Sequence, residues 1–228
     1  MKHIRESHER VSSFHSVCEG IDIYNRRELP DTVNIEQILK KIYSMLPRKF
    51  FQGVESIYVG EFDSLKKRDV DAVFQDGAIY IVPSYIIDQE NLLRNMIHEI
   101  AHSVEELNSM EIYGDGDVST EFIRKRSIIL DRLDSIGYNI VDKRVFLEPE
   151  YVKEVDDFFY KEVGYPVMAQ VTSGLFSSPY GCTSLREYFA NSFEEYYLGS
   201  APGLKKSSPK VYNKIFTLAK EEDSYGNF

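Results

Sequence analysis

Five residues in the middle of the chain, His98-Glu99-Ile100-Ala101-His102, have the types and spacing that metal-assisted hydrolysis needs. Two imidazoles four residues apart on a helix project from one side at adjacent turns, so both ring nitrogens reach a single tetrahedral Zn²⁺ at about 2.0–2.1 Å. Glu99 stands beside such an ion rather than on it, where a carboxylate takes a proton from water. Chance is a weak competitor. With 5 His in 228 residues, an H-E-x-x-H string arises by accident in about one chain of this size in a hundred.

A catalytic zinc takes a third protein ligand and leaves a fourth position open. No H-x-x-G-x-x-H continuation follows His102, and His3, His8 and His15 are all near the N-terminus, so a downstream carboxylate is expected. Within Ser184–Leu198, Leu185, Phe189, Phe193 and Tyr196 form an apolar stripe, while Glu187, Asn191 and Glu194 lie together on the opposite side beside Ala190. Glu187 is the expected ligand and Glu194 its rival. Small Ala190 permits close approach of another helix, and Asn191 is expected to hydrogen-bond a ligand histidine. Glu187 also reads as half of a capping box with Ser184, worth about 1 kcal/mol of local stability and no chemistry.

Apolar periodicity gives the elements that must carry these residues. Leu92, Leu93, Met96, Ile97, Ile100, Val104 and Leu107 recur at three and four residues, predicting a helix from Asp88 through the motif. At about 100° per residue the apolar set lies within roughly 80° of Ile100, and His98 and His102 fall at about +160° and −160°, away from the stripe. A first amphipathic helix is predicted over Asn34–Leu46, stopped before Pro47. Ser56–Phe62 predicts a strand, and Ala72–Gln75, the turn pair Asp76-Gly77 and Ala78–Val82 predict a hairpin ended by Pro83. Further helices are expected over Thr120–Ile136, Pro149–Val163 and Ser184–Leu198, each followed by glycine, and from Ser208-Pro209 to about Glu222. The expected chain is α+β and mostly helical, with a small N-terminal sheet. It comprises a leading segment 1–30, an α/β part 31–107 bearing the motif helix, and a helical part 108–228 supplying the third ligand.

Lys and Arg total 27 against 37 Asp and Glu, a net charge of −10, and that balance repels phosphate backbones and anionic lipid. The compact basic run Lys66-Lys67-Arg68 is followed at once by Asp69 and Asp71, so nucleic acid is not an expected partner. Val163–Leu185 carries no charge but is broken by Gly164, Pro166, Gly174, Pro179 and Gly181, and no membrane helix is expected. No apolar leader opens the sequence, so the expected location is cytoplasmic. Cys18 and Cys182 are too sparse for a disulfide scaffold and are expected to be free. Asp115-Gly116-Asp117 has Thr120 where a calcium loop needs glycine, and is expected to be a loop leading into a helix cap.

The string Glu187-Tyr-Phe-Ala-Asn-Ser-Phe-Glu-Glu-Tyr-Tyr-Leu198, with Leu204-Lys205, Pro209 and Tyr212 beyond it, resembles the C-terminal part of the lethal factor-like zinc endopeptidases. That family includes the anthrax lethal factor catalytic domain and the clostridial Pro-Pro endopeptidases. The resemblance implies a zincin-like fold of gluzincin type with one Zn²⁺ held by His98, His102 and Glu187, and so favours Glu187 over Glu194. It implies Glu99 as general base and Tyr180, seven residues before Glu187, as donor to the tetrahedral oxyanion. Delivery as a toxin-like effector is also implied. Three departures stand out. The interval from His102 to Glu187 is 187 − 102 = 85 residues, long for the family, with the excess expected in Asn108–Leu147 as an extra helix over or beside the cleft. Asn191 stands where the family has glutamate. The chain has no tryptophan for a Pro-Pro specificity platform.

In the expected mechanism zinc polarises the scissile carbonyl and lowers the pKa of water toward about 7, while Glu99 takes the proton and passes it to the leaving amine. The expected substrate is a peptide or unfolded protein lying extended along Ala78–Val82. Two other readings stay open. One is a cytoplasmic regulatory metalloprotease acting on one partner protein. The other is a non-catalytic binding module in which zinc only staples the fold, with Cys182 completing a closed site.

Overall fold

Asp76 and Gly77 both sit at positive φ, 52° and 75°, the left-handed pair that a two-residue hairpin turn demands. In the computed structural model, which describes residues 14–140 and 142–220, this turn joins the last two strands of a five-stranded sheet. The strands are β1 (Phe14–Cys18), β2 (Ile21–Asn25), β3 (Ser56–Val59), β4 (Ala72–Gln75) and β5 (Ala78–Ile81). Their order is β1-β2-β3-β5-β4, with β2, β3 and β5 parallel and each outer strand antiparallel to its neighbour. The chain divides into two compact units, one ending at Leu107 and one starting at Asn108.

In the first unit, residues 14–25, expected in a separate leading segment, form β1 and β2 of the sheet. Ala78–Val82, expected to receive a substrate, proves interior: β5 is paired with β3 on one side and β4 on the other, so its backbone groups are spent on the two ladders. The strand with an open side there is β4. Register lines up His15, Tyr24, Tyr58 and Tyr80 on one face, their rings stacked at successive centroid distances of 4.7, 5.1 and 5.3 Å, and Phe62 and Leu65 pack over the buried end of this row. The other face carries fully buried Ile23, Ile57 and Ile79. His3 and His8 lie outside the described residues.

The long helices described in this unit are α1 (Ile35–Met45) and α2 (Gln89–Leu107), beside a single helical turn at Asp63–Lys66. Asn34 caps α1 by accepting the Gln37 N–H at 3.0 Å, and Ile35, Ile38, Leu39 and Ile42 form its buried face as the periodicity predicts. α2 packs against α1, β4 and the 3-10 turn Arg48–Phe51. The approach is tightest at Gly53, where a Cβ would lie 2.2 Å from Ser103 Oγ and 3.1 Å from Leu107 Cδ1.

The second unit is helical. Its main elements are α3 (Asp117–Ser135), α4 (Tyr165–Thr172), α5 (Leu185–Leu198), α6 (Ala201–Ser207) and α7 (Pro209–Lys220). Asn108–Leu147, where an extra helix is expected, contains α3, which touches α4, α5 and α7 with Val118, Phe122, Ile129, Leu130 and Leu133 fully buried. The helix expected over Pro149–Val163 is a short turn, Lys153–Asp157, that runs into a π-helical stretch, Phe158–Val163, stopped by Gly164 at φ 81°. Among the described residues no helix is long and apolar enough to cross a membrane.

Candidate metal centre

The polar side of α2 is covered as well as its apolar stripe. Glu99, His102, Ser103 and Glu105 are all buried, and His98 is half-buried. The two motif rings stand edge to face with centroids 4.9 Å apart, as spacing of one helical turn dictates. His102 Nδ1 faces Glu105 Oε2 at 3.5 Å, again one turn on. A carboxylate behind Nδ1 favours the tautomer with its proton there, and so presents a bare Nε2 to a metal. Sequence reasoning passed over Glu105. Its signal was the three-residue step from His102. Glu99 is engaged elsewhere, its Oε2 accepting the backbone N–H of Phe74 on β4 at 2.5 Å.

Several bonds fix the start of α5 and with it Glu187. Ser184, in extended conformation, caps the helix by accepting the Glu187 N–H at 3.1 Å, which is the backbone half of the expected capping box. The Leu185 N–H reaches Pro149 C=O at 2.7 Å, and the buried Arg126 guanidinium on α3 donates to Thr183 C=O at 3.1 Å. One turn on, the Tyr188 hydroxyl donates to Glu121 and accepts from Lys125 Nζ, both at 2.8 Å and both on α3. Asn191, expected to support a histidine, donates to the Glu187 C=O at 3.0 Å and accepts the Ser178 hydroxyl. It therefore braces its own helix and the preceding loop. Gly181 permits that arrangement, since a Cβ there would meet Asn191 Cβ at 3.3 Å.

The ligating atoms of His98, His102 and Glu187 all lie within 4.8 Å of one another, a group that could hold a metal ion. Glu194, the rival, is not part of the group. Donors around a tetrahedral zinc at about 2.0–2.2 Å stand roughly 3.4 Å apart. Two imidazoles and one carboxylate match the protein ligands of catalytic zinc. Cys182 stays outside: both cysteines are free, and the Cys182 thiol is fully buried and donates to Pro179 C=O at 3.0 Å. Burial pushes that thiol up to about 12, so it stays protonated and is a poor ligand at neutral pH. Tyr180 opens the 3-10 turn before α5 with its ring half-exposed, and its carbonyl accepts the Thr183 hydroxyl at 2.8 Å. Asp115 and Asp117 sit at the entry to α3 as expected, paired with Lys214 and Lys210 at 2.7 Å each. Comparison of the chain with protein-family models, curated proteins and solved structures finds no match.

Proposed function

We propose that the protein is a zinc endopeptidase of the gluzincin type, similar in its chemistry to the lethal factor-like enzymes. The observation that carries this reading is the gathering of His98, His102 and Glu187 within 4.8 Å, although Glu187 is 85 residues from the second histidine.

When bound, zinc would supply Lewis acidity toward a peptide carbonyl and lower the pKa of water. The three ligands would hold it, with Glu105 orienting His102 from behind. Glu99 would accept the proton of the attacking water and return it to the leaving amine. Tyr180, half-exposed at the start of the turn before α5, is the proposed donor to the developing oxyanion. The proposed substrate is an extended peptide, and β4, the edge strand that contacts the motif helix, is the proposed strand to pair with it.

Digestion of a mixed peptide library by zinc-loaded protein, with Glu99→Gln as control, tests the reading. Cleavage by the wild type and loss of at least about a hundredfold in the variant is expected from removal of a general base. Equal digestion by both would end the proposed mechanism.

A further inference from the structure

The geometry points to the backbone N–H of Phe74 as the group that orients Glu99, an inference that rests on the reading of Glu99 as proton acceptor. The bond from Val82 N–H to Asp71 C=O, at 2.9 Å, sets the phase of the antiparallel β4–β5 ladder. Residues 71/82, 73/80 and 75/78 are the pairs that exchange amide bonds, and Phe74, which lies between them opposite Ile79, turns its N–H and C=O away from β5. β4 ends the sheet. The Phe74 N–H therefore points out of the sheet's open side, and Glu99 Oε2 takes it at 2.5 Å, with Glu99 and Phe74 each 6% exposed.

A glutamate on a helix has three side-chain torsions to settle, and its own helix fixes few of them. A bond from a second element removes that freedom. It also separates the two carboxylate oxygens: Oε2 is committed to the sheet, which leaves Oε1 to receive a proton. A carboxylate is a stronger acceptor than a peptide carbonyl, so a chain that pairs with β4 does not take this N–H from Glu99. Such a chain pairs through the Phe74 carbonyl and the outward groups of Ala72. The Phe74 amide is thus a positioning group for the base, contributed by the edge of the sheet. No side-chain motif records it, because any residue except proline at position 74 would supply the donor.

The test replaces the Val73–Phe74 amide by an ester, which deletes the N–H and keeps the aromatic side chain. The Asp71–Ala72 ester, which removes another outward donor of the same strand, is the control. In zinc-loaded protein the first ester is expected to lower kcat about 10–100-fold with KM and zinc affinity changed less than about twofold, and the control ester, which removes a donor to the substrate, to raise KM while keeping kcat and zinc affinity within about twofold of wild type. In metal-free protein the Phe74 amide is expected to exchange its hydrogen slowly, and at least about tenfold faster in Glu99→Ala, while the Val73 and Gln75 amides keep their rates. An unchanged kcat in the first ester, or Phe74 exchange that is the same with and without Glu99, overturns the proposal. A wild type that cleaves no peptide overturns the endopeptidase reading instead, and the exchange measurement then decides on the brace alone.

Discussion

Each imidazole of the motif needs its second nitrogen oriented if the first is to face a metal, and at His102 the Glu105 carboxylate stands 3.5 Å from Nδ1, close enough to shorten to a hydrogen bond when an ion binds. Glu105→Ala is expected to weaken zinc binding about 10–100-fold while the fold persists, as measured by competition with a chromophoric chelator. Glu194→Ala, removing the carboxylate left out of the group, is expected to leave binding unchanged in the same assay. Cys182 offers a control of a different kind. A thiol pushed up to about 12 by burial is expected to resist alkylation in the native protein at pH 8, and to react at once in denaturant.

At the scale of elements, α5 is held by its cap. Ser184→Ala removes the acceptor of the Glu187 N–H and is expected to cost about 1 kcal/mol by denaturant titration. Gly53→Ala drives a Cβ into Ser103 Oγ and is expected to cost about 1–3 kcal/mol, part of which Ser103→Ala restores. α1, α2, α5 and α7 were legible in the sequence because their signals are local: apolar residues at three and four, Asn34 and Ser184 as caps, Pro209 at the first helical turn. The Asp76-Gly77 hairpin was legible for the same reason. Its counterpart, Glu19-Gly20, also at positive φ (53° and 85°), turns β1 into β2 and was missed, since the strand it follows is short and half polar. The interior position of β5 and the outward Phe74 amide could not be read at all. Both depend on which strands pair, and pairing across 15 or more residues leaves no local trace. Of the candidate site, His98 and His102 were legible from residue type and spacing and Glu187 from its helix together with the family resemblance, whereas Glu105 and the sheet contact of Glu99 are properties of packing.

For the molecule as a whole, the charge that titrates most unusually is inside the second unit, where Lys125 and Arg126 of α3 are both buried beside Glu121. Burial lowers the Lys125 ammonium from its usual value to about 8, and its Nζ donates to Tyr188 and Ser208. Between about pH 8 and 10.5 the unfolded chain therefore binds more protons at this residue than the folded one, and stability from this group rises with pH. Cys182 acts in the opposite sense above pH 9, since its folded thiol holds a proton that the unfolded one releases. The window in which Lys125 dominates is pH 8 to 9. Wild-type stability is expected to rise there by about 1 kcal/mol, and Lys125→Met to abolish the rise, in paired denaturant titrations.

The most direct measurement of the central claim is zinc titration of the wild type, His98→Ala, His102→Ala and Glu187→Ala against a competing chelator. One tightly held ion per chain in the wild type, and affinity reduced at least about a hundredfold in each variant, is the predicted result. Wild-type affinity in Glu187→Ala would contradict it.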